Sequence, residues 1–446
     1  MSKFFSLQCW LKKFYRNGAR FQQYSKALSR SYLFSPDELN AYQDTLLRKM
    51  IHHCYNHVPY YRDTFDELGL TPNDIRTRDD LQKLPILDKR MVQADIQRFI
   101  SKKHHNMLCN IGKTSGSTGT PAKFIRDFDA INFEHACVWR HWQQAGDHGK
   151  RRLSLRGDVI VPASQENPPF WRYNPANREL QMSSYHLSRR NSIHYIQKIL
   201  EFQPQVLYAG PSMAHVLAKF FRLHNIPYQF DAILTSSESL EPNVRSYIED
   251  TFQCKIYDWY GQAERVAAIG QCKAGNYHIQ EDYSIVELLP GQDKGNYELV
   301  GTQLYNYAMP LLRYRTQDYV YLKSEAGSHQ ACACGTSFQM VDSILGRAYG
   351  YLLTPEGYHI AITAHIPIGV ENIIETQFYQ ERQGEVVLKV LSNGKFTEVD
   401  REQLIRNTLK HTSPQMKVIV EEVDEIPRGP NGKFINIINK VPVSLN

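Results

Sequence analysis

Residues 110–124 read NIGKTSGSTGTPAKF, and the identity of this loop decides the fold. Gly112, Lys113 and Thr114 suggest a nucleotide-hydrolysing P-loop, but that motif needs a glycine five residues before Gly112, where Met107 stands. A serine-hydrolase elbow needs glycine two places before Ser117, and Ser115 occupies that place. What remains is TSGSTGTP, residues 114–121, built of small hydroxyls and glycines that let backbone amides close around phosphate oxygens. A solvated Gly/Ser turn has the same composition. The rest of the chain decides between them.

The chain has 446 residues, enough for two or three domains, and 42% hydrophobic with 22% charged residues is ordinary for a globular protein with a sizeable core. A formal charge of +6 is too small at this length to imply nucleic acid. No apolar run reaches the roughly 18 residues of a membrane span, and Lys12, Lys13 and Arg16 interrupt any secretory leader. The expected location is the cytoplasm. Eight cysteines in so long a chain are expected to be reduced.

No acid precedes Asp37, whereas Lys3, Lys12, Lys13, Arg16, Arg20, Lys26 and Arg30 do. Phe4, Leu7, Leu11 and Phe14 recur at helical spacing. This basic amphipathic segment, residues 1–50, is expected to pack on the main domain; the alternative is a helix resting on an anionic membrane at the inner face.

From Ile193 onward helix and strand alternate. Ile193, Ile196, Ile199 and Leu200 predict a helix up to Pro204, and residues 205–209 a strand closed by Gly210 and Pro211. Met213, Val216, Leu217, Phe220 and Phe221 predict a second helix, residues 232–234 a strand, Pro242 a helix start and residues 255–257 another strand. This is an α/β wrapping pattern. Past Gly346 the pattern changes to strand (385–391), helix (400–410) and strand (417–423), a small α+β unit.

Four further motifs stand in order: YDWYGQAER (257–265), YRTQD (314–318), GR (346–347) and PRGPNGKF (427–434). With TSGSTGTP the set resembles the adenylate-forming superfamily of acyl-CoA synthetases, luciferases and peptide-synthetase adenylation domains. Residues 58–89 resemble the entry segment of its phenylacetate-CoA ligase-like branch, which includes proteins of capsular polysaccharide clusters. The resemblance covers residues 51 to the C-terminus. It implies a large N-terminal α/β domain (51–348) that binds ATP and acid, and a small mobile α+β lid (349–446) carrying the catalytic lysine.

The implied reaction joins ATP and a carboxylic acid into an acyl-adenylate, releases pyrophosphate, and passes the acyl group to a nucleophile. By resemblance Thr114, Ser115, Gly116, Ser117, Thr118, Gly119 and Thr120 hold the phosphates, with Lys123 beside them. Tyr260, next to Gly261, stacks on adenine, and Ser237 and Glu238 lie in the adenine-contacting loop. Glu264 holds Mg²⁺, a hard cation preferring oxygen ligands. Asp318 takes the ribose hydroxyls, Arg347 reaches ribose or phosphate, and Lys433 meets the charge building at the α-phosphate. Two positions depart from the family: Gln317 replaces a usual glycine, and Ala348 and Tyr349 stand where a hinge aspartate is common. The second weakens the inference to thioester formation.

Cys332 and Cys334 in CACG, with Cys272 and His278 in CKAGNYHI, offer the Cys₃His composition of structural zinc sites; reduced buried cysteines are the alternative. Between Trp139 and Ser212, Trp139, Trp142, Arg156, Trp171, Arg172, Tyr185 and His186 suit an aryl acid, a sugar face or a second carboxylate equally. The expected acceptor is CoA, the alternative an amine on an amino acid or amino sugar. A catalytically silent scaffold on the membrane is the competing function; the set Thr118, Glu264, Asp318 and Lys433 speaks against it.

Overall fold

The computed structural model describes residues 3–103, 109–113, 123–162, 164–291, 293–323, 332–347, 352–360, 366–367, 369–427 and 434–441. Three helices open the chain: α1 (Lys3–Arg16), α2 (Ala19–Ser31) and α3 (Pro36–His57). Ser35 and Glu38 cap α3 reciprocally, and Pro36 takes a first-turn position where its missing N–H costs nothing. After α4 (Pro59–Glu67) and α5 (Lys89–Ala94), strands β1 (Cys109–Lys113) and β2 (Lys123–Asp127) pair antiparallel and lead into α6 (Phe128–Gln144).

The α/β wrapping follows: β3 (Arg152–Arg156), β4 (Trp171–Asn174), β5 (Glu179–Ser183), α7 (Ser192–Phe202), β6 (Val206–Ala209), α8 (Pro211–Leu223), β7 (Ala232–Ser236), α9 (Pro242–Phe252) and β8 (Ile256–Gly261). Strands β5, β3, β6, β7 and β8 lie parallel side by side. Strands β9 (Ala268–Gln271), β10 (Tyr277–Ile279) and, later in the chain, β14 (Met340–Val341) extend that sheet antiparallel past β8, while β4 closes the other edge. A parallel sheet needs cover on both faces. Met213, Val216, Leu217, Phe220 and Phe221 of α8 supply part of it, each fully buried side chain stabilising by about 1.5–3 kcal/mol. The helix stripes and strands read from residues 193–257 are present, with ends moved by a few residues.

A second sheet, β11 (Ser284–Pro290), β12 (Asn296–Gln303), β13 (Tyr314–Tyr321) and β15 (Ser343–Arg347), stands beside the first in antiparallel order. The small C-terminal domain begins with the short pair β16 (Leu352–Leu353) and β17 (His359–Ile360). Its sheet has the order β20-β19-β18-β21, from β18 (Ile373–Arg382), β19 (Glu385–Ser392), β20 (Lys417–Val423) and β21 (Ile437–Asn439). Helix α10 (Glu398–His411), capped reciprocally by Thr397 and Asp400, covers it. Leu404 of α10 packs with Phe378, Val386 and Leu388 in a core of its own.

The two domains touch through α8. Lys219 Nζ donates to the carbonyls of Ile373 (2.8 Å) and Ile374 (2.6 Å), and Ile374, Leu391 and Ile426 join the apolar cluster of the large domain. Gly394, at φ +84°, abuts the Arg189 guanidinium so closely that any side chain there would displace it.

The basic N-terminus departs from expectation in one respect. Helix α2 packs as expected, burying Phe21 and Leu28 along α6 and setting Tyr24 edge-on to Phe133. Helix α1 keeps Leu7, Leu11 and Phe14 exposed and is tied to the body by the Lys13 Nζ hydrogen bond to Ala176 O. An Arg140–Asp282 ion pair, unsuspected from sequence, fixes the end of α2: both guanidinium nitrogens reach the carboxylate, and Arg140 also donates to Leu28 O at 2.8 Å. With both charges buried, the paired geometry and the extra acceptors offset their desolvation.

Candidate active site

The ends of the phosphate loop are fixed by the β1–β2 hairpin, in which Lys113 faces Lys123. Residues 114–122, and with them Thr114, Ser115, Gly116, Ser117, Thr118, Gly119 and Thr120, lie outside the described residues; Lys123 is exposed. The hairpin is anchored from behind. Asp127 caps α6 through Ala130 N (2.7 Å) and accepts from Tyr307 N (2.7 Å) and Ala308 N (3.1 Å). Arg126 crosses Gly112, where a Cβ would meet its guanidinium at 2.1 Å, and donates to Ala263 O at 2.5 Å. Burial and the nearby Arg265 pull the Arg126 pKa down to about 10. That contact ties the hairpin to the turn carrying Glu264.

Parallel strands deliver their functional residues at the carboxyl ends, where open α/β sheets bind ligands. Strand β7 ends at Ser236, and exposed Ser237 takes φ +79°. Glu238 accepts from Ser212 N at 3.0 Å, so its carboxylate caps the amino end of α8. Strand β8 carries Tyr260 and ends at Gly261. From 58 residues away along the chain, Asp318 accepts the Tyr260 hydroxyl at 2.7 Å. Burial, then the Asp318 carboxylate, pushes this phenol well above its usual pKa.

Asp318 is aimed by a bulge. Between the pairs Val300↔Arg315 and Glu298↔Tyr319, β13 holds three residues against one of β12, and Gln317 inside it adopts φ +62°. Thr316 Oγ closes the bulge by donating to Leu299 O at 2.8 Å and accepting from Asp318 N at 3.0 Å. The positive φ explains the glycine customary there. Asp318 pairs with Arg347 across β13 and β15, and a Cβ on Gly346 would meet Ser239 Oγ at 2.6 Å. Only the Arg347 backbone is described. Tyr260, Asp318, residues 237–239 and residues 346–347 thus converge although the sequence scatters them.

Glu264 is buried beneath this group, its Oε1 accepting from Tyr314 OH at 3.2 Å and its main-chain carbonyl from Gln303 Nε2 at 2.5 Å. A buried carboxylate oriented by a phenol is a hard oxygen donor of the type Mg²⁺ takes. Tyr314 and Gln303 escaped the sequence reading, although Tyr314 begins the YRTQD motif. Ser237, Arg265, Arg313 and Gln317, four residues forced to positive φ, surround the site; backbone strain of this kind gathers at functional sites. Lys433 lies outside the described residues, and the next residue, Phe434, packs against the large domain's main apolar cluster.

Cys272, His278, Cys332 and Cys334 come together, their donor atoms all within 4.8 Å of one another. Two tight turns present the cysteines: Gly275 N bonds Cys272 O at 2.9 Å, and Gly335, at φ +94°, bonds Cys332 O at 3.0 Å. The Cys272 and Cys332 sulfurs are 3.8 Å apart, and Cys334 Sγ is 3.5 Å from His278 Nε2. A zinc tetrahedron with Zn–S of about 2.3 Å and Zn–N of about 2.0 Å separates two sulfurs by about 3.8 Å and sulfur from nitrogen by about 3.5 Å. The donor set fits. Phe338 O, 2.9 Å from His278 Nδ1, orients the ring from behind. Burial raises the Cys332 thiol, but hydrogen bonds from the Cys334 backbone, Asn276, Cys334 and His278 outweigh it and lower its pKa, whereas burial raises that of Cys272.

Residues 352–440 match the CapK C-terminal domain family. Over 87% of both chains the protein is 29% identical to Protein CapK of Staphylococcus aureus. It is 23% identical to the phenylacetate-coenzyme A ligase of Thermus thermophilus, over 90% of this chain and 97% of that one. The crystal structure of a 2-hydroxyisobutyryl-CoA ligase in the postadenylation state, in complex with R3-HIB-AMP, superposes with a TM-score of 0.68 at 15% identity, covering 92% of this chain and 91% of that chain. The domain match, these relatives and the shared two-domain fold place the chain in the adenylate-forming superfamily, with sequence similarity to Protein CapK and to phenylacetate-coenzyme A ligases.

Proposed function

We propose that this protein is an ATP-dependent ligase that activates a carboxylic acid as its acyl-adenylate and transfers the acyl group to a thiol, CoA. The observation that carries the reading is the Tyr260–Asp318 hydrogen bond, which joins two motifs far apart in sequence beside Gly346 and Ser239. Its phenol pinned, Tyr260 offers a fixed ring face to adenine while Asp318 accepts the ribose hydroxyls. Thr118 and its neighbours hold the β and γ phosphates on a loop whose base the Arg126–Ala263 contact keeps beside Glu264.

A carboxylate oxygen attacks the α-phosphorus, and the bond to pyrophosphate breaks. Anion meets anion in this step, so neutralisation and in-line alignment supply most of the rate. Glu264 would hold Mg²⁺, whose charge offsets that of the phosphates, and Arg347 and Lys433 are the cations assigned to the same group by this reading. We place the division between domains near residue 348, with the lysine on the small domain. Cys272, His278, Cys332 and Cys334 would hold structural zinc, bracing the strands behind β8 and taking no part in the chemistry.

The test offers ATP and a panel of aliphatic, aryl and sugar acids to the purified protein and measures pyrophosphate release. Acid-dependent release that disappears in Glu264→Gln supports the reading; no release with any acid overturns it in favour of a silent scaffold. A second acceptor is favoured by Ala348 and Tyr349 at the hinge, where rotation towards CoA usually relies on an aspartate. An amine can attack the mixed anhydride directly. Offering CoA, amino acids and amino sugars separately to the preformed acyl-adenylate distinguishes them, consumption by an amine alone excluding the thioester ligase.

A further inference from the structure

Helix α1 carries large apolar residues in a row on its solvent side. Leu7, Trp10, Leu11 and Phe14 follow the i, i+3, i+4, i+7 pattern of one helical face. They are 57%, 54%, 59% and 79% exposed. The contacts holding the helix come from elsewhere on its turn: Lys13 Nζ donates to Ala176 O at 2.5 Å, and Tyr15 meets the Phe128 ring edge-on at 4.8 Å. Just beyond the helix, Asn17 Oδ1 lies 3.1 Å from His135 Nε2. An amphipathic helix of a soluble protein normally turns its apolar stripe to the core. Here the stripe faces out.

Charge selects what covers it. Seven cations and no acid occupy the first 36 residues. Of these cations Arg20 meets Asp129 at 3.4 Å, while Lys26 and Arg30 on α2 are exposed and enter no described ion pair. A second copy of this chain would bring the same cations face to face. A bilayer rich in anionic headgroups meets both features at once, since acyl chains take the stripe and the negative surface takes the lysines and arginines. We propose that α1 is an interfacial membrane helix that lays Leu7, Trp10, Leu11 and Phe14 into an anionic lipid surface, independently of the ligase reading.

The experiment uses the full-length protein and vesicles of phosphatidylcholine with or without phosphatidylglycerol. Co-sedimentation should require phosphatidylglycerol, weaken in high salt, and fall on the order of tenfold in the Leu7→Ser/Leu11→Ser/Phe14→Ser variant with its melting temperature unchanged. Trp10 emission should shift to the blue on those vesicles, and the shift should vanish in Trp10→Phe. If the triple variant folds poorly, Lys26→Glu/Arg30→Glu supplies the second test and should weaken binding on the charge side. No binding by the wild type, equal binding to neutral vesicles, or an unchanged Trp10 spectrum overturns the proposal. Self-association lost in the triple variant, without vesicle binding, assigns the face to a second copy instead.

Discussion

Gln317 shows what a single residue pays to aim another. An L-residue in the left-handed region loses about 1–2 kcal/mol relative to ordinary backbone, and glycine avoids this at an entropic cost of about 0.5–1 kcal/mol. The strain is retained because the bulge turns Asp318 towards Tyr260. Gln317→Gly should therefore hold or slightly raise stability, and Gln317→Val, whose β-branch adds to the strain glutamine already carries, should lower it further, by on the order of 1 kcal/mol, and raise the KM for ATP. Urea melts and ATP titrations check both; a harmless valine would show that the bulge is not under strain. Lys433→Ala should lower adenylation by orders of magnitude while ATP binding falls modestly, since in the proposed mechanism the lysine meets charge that develops only in the transition state. Wild-type adenylation by a folded variant would remove Lys433 from the mechanism. Tyr260, Glu264 and Asp318 stand out in the sequence through the resemblance of their motifs to those of the adenylate-forming superfamily, and the fold brings them together. The hydrogen bond between the first and last was not legible there, because it depends on a strand register that no local pattern encodes.

Elements differ in how far the sequence announces them. Strands β6 to β8 and helices α7 to α9 carry continuous apolar runs or 3.6-residue stripes bounded by Pro and Gly, so their buried faces write themselves into the sequence. The sheet of β11, β12, β13 and β15 escaped notice: buried polar side chains such as Glu298, Thr302, Gln303 and Asp318 blur the alternation that would reveal it. The paired turns at Cys272 and Cys332 were suggested by composition, but their meeting depends on β10 pairing with β14. They also reach the N-terminal helices, since Ser337 Oγ donates to Phe34 O at 2.5 Å and Gly335 lies against Leu33. Metal there would lock the turn onto the end of α2. We expect about one zinc per chain by elemental analysis, and Cys334→Ser should lose both the metal and several degrees of melting temperature, while Cys254→Ser, outside the cluster, loses no metal. Metal-free wild type of full stability would leave three reduced cysteines, a histidine and no zinc site.

At the scale of the whole molecule, the contact between domains rests on a lysine held in an unfavourable place. Lys219 projects from α8 to the carbonyls of Ile373 and Ile374 on the small domain, 6.0 Å from the centre of the Tyr247 ring and near Glu375, His215 and Arg222. Burial lowers its pKa to about 8, and the nearby Glu375 carboxylate only partly opposes that shift. An unfolded lysine titrates near about 10.4, so between about pH 8 and 10.4 the unfolded chain binds more protons than the folded one. Stability then rises with pH through that window and is lower below it, where the ammonium must be kept in a poorly hydrated site. Lys219→Met removes the titrating group while keeping the apolar stem that packs along α8. The wild type should gain in melting temperature relative to this variant as pH rises from about 8 to about 10, while the tyrosines and cysteines that titrate in the same range cancel in the comparison. A difference that stays flat across the window would mean that the amine is solvated and that the domains are joined chiefly by Ile374, Leu391 and Ile426. If the small domain is the mobile lid that the resemblance implies, this contact must break when it moves, and a lysine already short of hydration gives up little when it returns to water.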